Sequence, residues 1–437
     1  MIRPNRFSAA ALGFLLAAAA CQNDELNRPF SFIPVDPLFD RYVSMGNSIT
    51  AGFQSAGILD STQQQSYAVL LAKAMHSPVF VPSMQKFGCP NPIDSVFVID
   101  TVSTSPTRGK PHRYNNTFRD DLCYLRAIPA TPPPYVSNVA VPGAKVRDAY
   151  ANLGPGTSPN PLTQFILGGL TQVQAMRRAQ PTFLTVWIGN NDVLGAATRA
   201  DSAGDTLRIT PVATFEARYD SLADSIATVS PSGVVLLGVA NVTLIPYFSR
   251  GSTYWAIKNG LVPGAAFPLL FTVDNNCAPS VTGIPGARGD TTLVPFVYGI
   301  PLLQAAAAGA PRTLSCADTI APIVVPSELR ALVGAVTAYN AKITAVASAR
   351  GWTYLDPNAK FAALAADTAQ VRPFPILPTK VPGGPPVPGD SAAATRPFGR
   401  AFSRDGVHPS ASTHRRIADT LRVLINSDYG TAIPPIP

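Results

Sequence analysis

The chain has 437 residues, 46% of them hydrophobic and 14% charged, with 44 prolines and 32 glycines. That composition excludes a disordered polyelectrolyte and fits a globular domain with long loops. The formal net charge of +8 is scattered without a basic run, so it argues for solubility and against nucleic-acid binding.

The chain opens on MIRPNRFSAAALGFLLAAAA, which joins Arg3 and Arg6 to an apolar stretch and a run of small residues, the pattern of a secretory signal peptide over 1–20. Residues 7–20 are too short to cross a bilayer, which takes roughly 20 apolar residues, and no later segment comes closer. Removing Arg3 and Arg6 with the leader lowers the charge to +6. Cys21 directly follows Ala18, Ala19 and Ala20 and resembles the lipobox of bacterial lipoproteins, with Ala18 where leucine is usual. That resemblance implies lipidation of Cys21, a lipidated tether over 21–39 and a membrane partner for the anchor. Gln22, in place of aspartate, points to an exported outer-membrane lipoprotein, facing either the periplasm or the cell surface.

Five short apolar runs follow: RYVSMG, VSNVAVPG, TFLTVWIG, GVVLLGVANV and WTYLD. Between them lie helical patterns, QSYAVLLAKAM, LTQVQAMRRA, TFEARYDSLADSIATVS and SELRALVGAVTAYNAKITAVASARG. The alternation predicts an α/β domain over 40–428, with a parallel sheet of about five strands covered on both faces and a short tail over 429–437. Ligands of such sheets bind outside the carboxyl ends of the strands.

Insertions at about 82–134, 246–326 and 372–398 are rich in Pro, Gly, Ser and Thr and lack periodicity. The first two are expected to cover the carboxyl edge and the third to be mobile. Their apolar stretches, such as FPLLFTV, LVPFVYGIPLLQAAAA and PFPIL, would pack that cover or line an acyl channel, packing being the favoured reading. Apart from Cys21, four cysteines remain, an even number suited to an oxidising compartment. Sequence-local pairing joins Cys89 to Cys123 and Cys277 to Cys316, worth about 3 to 4 kcal/mol each in the chain-entropy model. Zinc is disfavoured because no C-x-x-C spacing occurs.

Candidate chemistry sits where the apolar runs end. Ser48 in GNSIT is either a turn residue or a nucleophile exposed at a strand end. Near the other terminus, FSRDGVHPSAS holds Asp405 and His408 three residues apart, enough for one loop to carry a base and the carboxylate that fixes its tautomer. A turn with a nearby helix cap is the plainer reading. Gly143 and the Gly189-Asn190-Asn191-Asp192 run end two further strands. Backbone N–H groups and a carboxamide there would stabilise an oxyanion, each by about 3 kcal/mol, or else simply close a turn and cap a helix. His414 is assigned to a helix surface, and His76 and His112 have no role because no carboxylate stands at a suggestive spacing. A metal reading of Asp405, His408 and His414 lacks further ligands and any H-E-x-x-H motif.

Taken in order, GNSIT, NVAVPGA, GNND and DGVH resemble the four blocks of the SGNH, or GDSL, hydrolases, which are serine esterases and lipases. The resemblance implies a flavodoxin-like three-layer α/β/α sandwich and no cofactor or metal. It implies Ser48 as nucleophile and Asp405 and His408 as its triad partners. The oxyanion hole would comprise the Ser48 and Gly143 N–H groups and the Asn191 side chain, with Asn190 in the variable place. Asn47 and Ile49 replace the usual Asp and Leu of the first block. The implied substrates are lipid esters or acylated glycans. The alternative is a non-catalytic surface lipoprotein that uses the same fold to bind glycan or a protein partner. Assembly state is left open.

Overall fold

The computed structural model describes residues 34–437 apart from 85–86, 101, 125–132, 152–159 and 377–395. The expected signal peptide, the lipidation site Cys21, most of the tether and the centre of the third insertion lie outside the described residues. In chain order the elements that matter for the site are β1 (Tyr42–Gly46), α1 (Ser48–Ala51), α2 (Tyr67–Ala74), α3 (Gln172–Ala179), β2 (Phe183–Trp187) and α4 (Asn191–Ala197). They continue with α5 (Val212–Ala227), β3 (Gly233–Leu237), α6 (Pro326–Arg350), β4 (Thr353–Leu355), α7 (Asn358–Ala366) and α8 (Ala411–Tyr429).

The central sheet is parallel, in the order β1-β2-β3-β4. The run after the first insertion, expected as a fifth strand, makes only an isolated bridge, Ser44 to Asn138, on the free side of β1. Ser44 N–H donates to Ser137 O, Val139 N–H to Ser44 O and Val141 N–H to Gly46 O. The ladder lacks a rung because the Gln172 side chain takes its place: Gly46 N–H donates to Gln172 Oε1, and Gln172 Nε2 donates to Gly46 O. Counting this edge segment, the spatial order of the strands by sequence is 2-1-3-4-5, the flavodoxin-like doubly wound arrangement, with its switch point at β1 and β2.

Strand alternation assigns the layers. Tyr42, Phe183, Trp187, Val235 and Leu237 pack with Tyr67 and Leu71 of α2 and with Ala418, Leu421 and Ile425 of α8. Val43, Met45, Leu184, Val186, Val234 and Leu236 face the other way, onto Met176 of α3, Phe215 and Leu222 of α5, and Tyr339 and Ile343 of α6. Both faces being covered explains why these strands read as continuous apolar runs. The longest helix, α6, starts with Pro326 and a Glu328 carboxylate that accepts from Val325 N–H, and ends at Gly351 with φ 65°.

The first two insertions are more ordered than their composition suggests. Ile93–Ile99 pairs antiparallel with Pro111–Arg113, Phe248–Arg250 antiparallel with Leu293–Pro295, and Phe271–Val273 parallel with Arg312–Leu314. Helices Gly251–Lys258 and Phe296–Ala307 complete them. Phe97, Tyr254, Phe271, Ile300 and Leu314 share one apolar cluster, so the two insertions form a common core beside the sheet. Disulfides join Cys89 to Cys123 and Cys277 to Cys316, the sequence-local pairing. Apart from Ile93–Ile99 these strands have three residues each, too short to print a period on the sequence, which is why the segments read as loops.

Candidate active site

Ser48 stands at the carboxyl end of β1, where the chain turns at once into α1. The turn requires glycine at 46, since a Cβ there would lie 2.7 Å from Trp187 O. Closing the turn falls to Asn47, whose Oδ1 accepts from Ile49 N–H at 3.0 Å. Gly52 ends the short helix with φ 86°. The Ser48 hydroxyl is thus free of capping duty, and its backbone N–H, in the first turn, has no partner within α1.

His408 reaches this serine from the other end of the chain. Its Nε2 lies 2.9 Å from Ser48 Oγ and its Nδ1 lies 2.7 Å from Asp405 Oδ2. Asp405 is deeply buried and thoroughly bonded. Oδ1 accepts from Val407 N–H, His408 N–H and Ser403 Oγ, and Oδ2 accepts from Ala56 N–H at 2.6 Å besides His408. Burial alone would raise its pKa, but the His408 charge and these hydrogen bonds outweigh it and hold the carboxyl at about 2. Asp405 therefore stays ionised and fixes the imidazole, with Nδ1 as donor and Nε2 as acceptor toward the serine hydroxyl. The Phe53 ring packs against the imidazole with centroids 4.9 Å apart.

The other two strand ends meet each other. Asn191 Nδ2 donates to Ala144 O at 3.0 Å, which sets the Asn191 amide beside the Gly143 turn. Gly143 is exposed and has φ 79°, a conformation that glycine accepts without strain. Asp192 locks the same two segments: its Oδ2 accepts from Val146 N–H and its Oδ1 from Thr210 Oγ1. Burial raises the Asp192 pKa, against those hydrogen bonds. Asn191 also lines the same cavity as Ser48 and His408.

That cavity holds about 560 Å³ and follows the carboxyl edge of the sheet from Ser48 to the end of β4. Leu194, Val242, Ile245, Phe361, Leu364 and Phe402 give it an apolar wall. None of its lining residues comes from 82–134 or 246–326, so the first two insertions do not roof this space. Their apolar stretches pack their own cluster, where Phe267 and Leu303 sit, joined by Phe374 from the third insertion. Two carboxamide nitrogens at the cavity, Asn47 Nδ2 and Asn190 Nδ2, have no hydrogen-bond partner among the described residues, while Asn190 Oδ1 accepts from Ala240 N–H.

Two histidines differ from expectation. His414 is not on the surface: it is fully buried in the first turn of α8, and its Nδ1 accepts from Tyr67 N–H at 3.2 Å. Burial, and then the charge of His408, depress its pKa to about 3, so it stays neutral. Its position in the stripe 414, 418, 421, 425 was the available signal. His112 does have a carboxylate, since its Nδ1 lies 2.6 Å from Asp94 Oδ1 across the insertion hairpin, a pairing that linear spacing conceals. His76, with φ 53°, ends the turn after α2.

No family model matches the chain, and no curated protein matches it. Among solved structures the chain is similar to an extracellular lipase from Streptomyces rimosus, at 13% identity over 88% of this chain and 98% of that one, with a TM-score of 0.37. It is also similar to an α/β hydrolase enzyme from the metagenome of Lake Arreo, Spain, at 13% identity over 90% of this chain and 95% of that one, with a TM-score of 0.32. Likenesses at this level assign no activity.

Proposed function

We propose that the protein is a serine esterase of the SGNH type that hydrolyses carboxylic esters through an acyl-enzyme. One observation carries the reading: Ser48, His408 and Asp405, drawn from opposite ends of the chain, form an unbroken hydrogen-bonded series at the sheet edge, beside a cavity. In the proposed reaction Ser48 Oγ attacks the ester carbonyl carbon while His408 Nε2 takes the hydroxyl proton. Asp405 remains ionised and stabilises the imidazolium. The Ser48 and Gly143 N–H groups and the Asn191 amide hold the oxyanion. Collapse of the tetrahedral intermediate expels the alcohol, which receives the proton from His408. Water, deprotonated by the same imidazole, then attacks the acyl carbonyl, and the acid leaves with Ser48 restored.

The apolar wall formed by Val242, Ile245, Phe361 and Leu364 favours the acyl chain of a lipid ester over a compact acetyl group of a glycan. The two disulfides support export to an oxidising compartment. Lipidation at Cys21 and residence at the outer membrane follow from the leader alone and belong to the same proposal. Ser48→Ala is expected to abolish turnover of a p-nitrophenyl ester and labelling by a fluorophosphonate while leaving the melting temperature within a few degrees of the parent. Retained turnover would eliminate Ser48 as the nucleophile, and a parent protein that neither labels nor turns over would favour a binding module.

A further inference from the structure

Resting on that esterase reading, we infer that Arg113, in the first insertion, is a positioning residue that holds Asp405 in its catalytic orientation through the backbone of Ala56. The link is a tight turn over 54–57, closed by Gln54 N–H to Gly57 O and Gly57 N–H to Gln54 O. Its two central residues are Ser55 with φ 54° and Ala56 with φ 50°. A turn with two left-handed central residues suits Asn-Gly, not Ser-Ala, because a Cβ crowds the backbone in that region. The turn therefore depends on outside bonds, and the structure supplies them on every side.

Ala56 N–H donates to Asp405 Oδ2, the oxygen that also accepts from His408 Nδ1. Ser55 N–H donates to Ser403 Oγ, and Ser55 Oγ accepts from Arg404 N–H. From the opposite side, Arg113 Nη1 donates to Ala56 O at 2.8 Å and to Asn91 O at 2.6 Å, while Ile93 N–H donates to Ser55 O at 2.6 Å. Arg113 is only 6% exposed, so its guanidinium is a buried cation spent on two carbonyl oxygens. Burial lowers its pKa, and the carboxylates of Asp120 and Asp405 act against that shift. The Cys89–Cys123 disulfide brackets the hairpin that carries Arg113, so the brace is anchored at its base. Both bonds leave one nitrogen, Nη1, whose two hydrogens serve one carbonyl each. Without Arg113 the turn loses its hold on Ala56 O, Ala56 N–H withdraws from Oδ2, and the carboxylate, left with its Oδ1 donors and His408 Nδ1, shifts its aim at the imidazole. Substrate contacts stay as they were, because no residue of 82–134 lines the cavity.

The test measures kcat and KM on p-nitrophenyl butyrate, with melting temperatures, for the full mature chain and for Arg113→Met, Arg113→Lys and Ser48→Ala. Displacement of a catalytic group by about 1 Å costs up to about 100-fold. Arg113→Met is accordingly expected to lose about 10-fold to 100-fold in kcat with KM within about threefold of the parent, and Arg113→Lys, whose shorter side chain keeps a charged donor but sets it farther from the carbonyls, to fall between. A folded Arg113→Met protein with kcat within about threefold of the parent, or with its loss in KM instead, overturns the inference. Should Arg113→Met fail to fold, Arg113→Lys decides: lowered kcat at unchanged KM supports the inference, and parental kcat overturns it. Activity remaining in Ser48→Ala would instead bring down the esterase reading, whereas an inactive Ser48→Ala beside a fully active Arg113→Met removes Arg113 alone.

Discussion

Acidification from about pH 7 to about pH 4.5 is expected to cost on the order of 2 to 3 kcal/mol of folding stability through one side chain, His414. Its pKa is about 3 in the fold against an ordinary 6.5, because burial and the nearby His408 charge both oppose the proton. With a depressed folded pKa, the stability is fully present above about pH 6.5 and drains away as the pH falls toward about 3. Within that window the unfolded chain binds a proton that the fold refuses, and each pH unit is worth about 1.4 kcal/mol. The Asp405 contribution has the same sign but is lost lower, between the ordinary value of 3.8 and about 2. His112, raised by its bond to Asp94, acts in the opposite direction. Both groups are common to parent and variant, so the comparison isolates His414. The measurement is urea unfolding at the two pH values for the parent and His414→Asn, whose Oδ1 keeps an acceptor for Tyr67 N–H. The parent should lose on the order of 2 to 3 kcal/mol more than the variant. Losses that agree within about 0.5 kcal/mol would show that His414 titrates normally and refute the reasoning.

Asn191→Ala is expected to lower kcat by about 100-fold to 1,000-fold, the range for a single oxyanion donor, and to lower the melting temperature slightly because Ala144 O loses its partner. Unchanged kcat would take Asn191 out of the oxyanion hole. Leu364→Trp fills part of the apolar wall and should shift preference in a p-nitrophenyl ester series from long acyl chains toward acetate. A series whose ranking does not move would place the acyl chain elsewhere.

Sequence patterns revealed what depends on neighbours in the chain. The strands ending at Gly46, Trp187 and Leu237 are buried on both faces, so their apolar runs are unbroken, and helices such as α3 and α6 carry their own caps. The pairing of Asp405 with His408 was legible for a related reason: one loop supplies both groups, and its backbone N–H bonds to Oδ1 lie within three residues. Tertiary bonds left no such trace. Nothing near His112 in sequence points to Asp94, because strand pairing alone brings them together. His414 was concealed by the arginines that follow it, although its period with Ala418, Leu421 and Ile425 marks the buried stripe.

The insertions illustrate the same division between local pattern and tertiary contact. Proline-rich composition predicted loops with disulfides, and both bridges are present. It gave no hint that these loops lie beside the loop of Asp405 and His408 instead of over the cavity. Tyr247 N–H bonds to Gly406 O, and Arg404 Nη1 to Tyr114 Oη, so the second insertion and the first each grip the segment between Asp405 and its neighbours. The loop's own bonds orient Asp405 toward His408, but holding that imidazole within hydrogen-bonding distance of a serine 360 residues away needs contacts from outside the loop. In this chain the sheet positions Ser48 at the end of β1, while the two insertions bond the loop that carries His408.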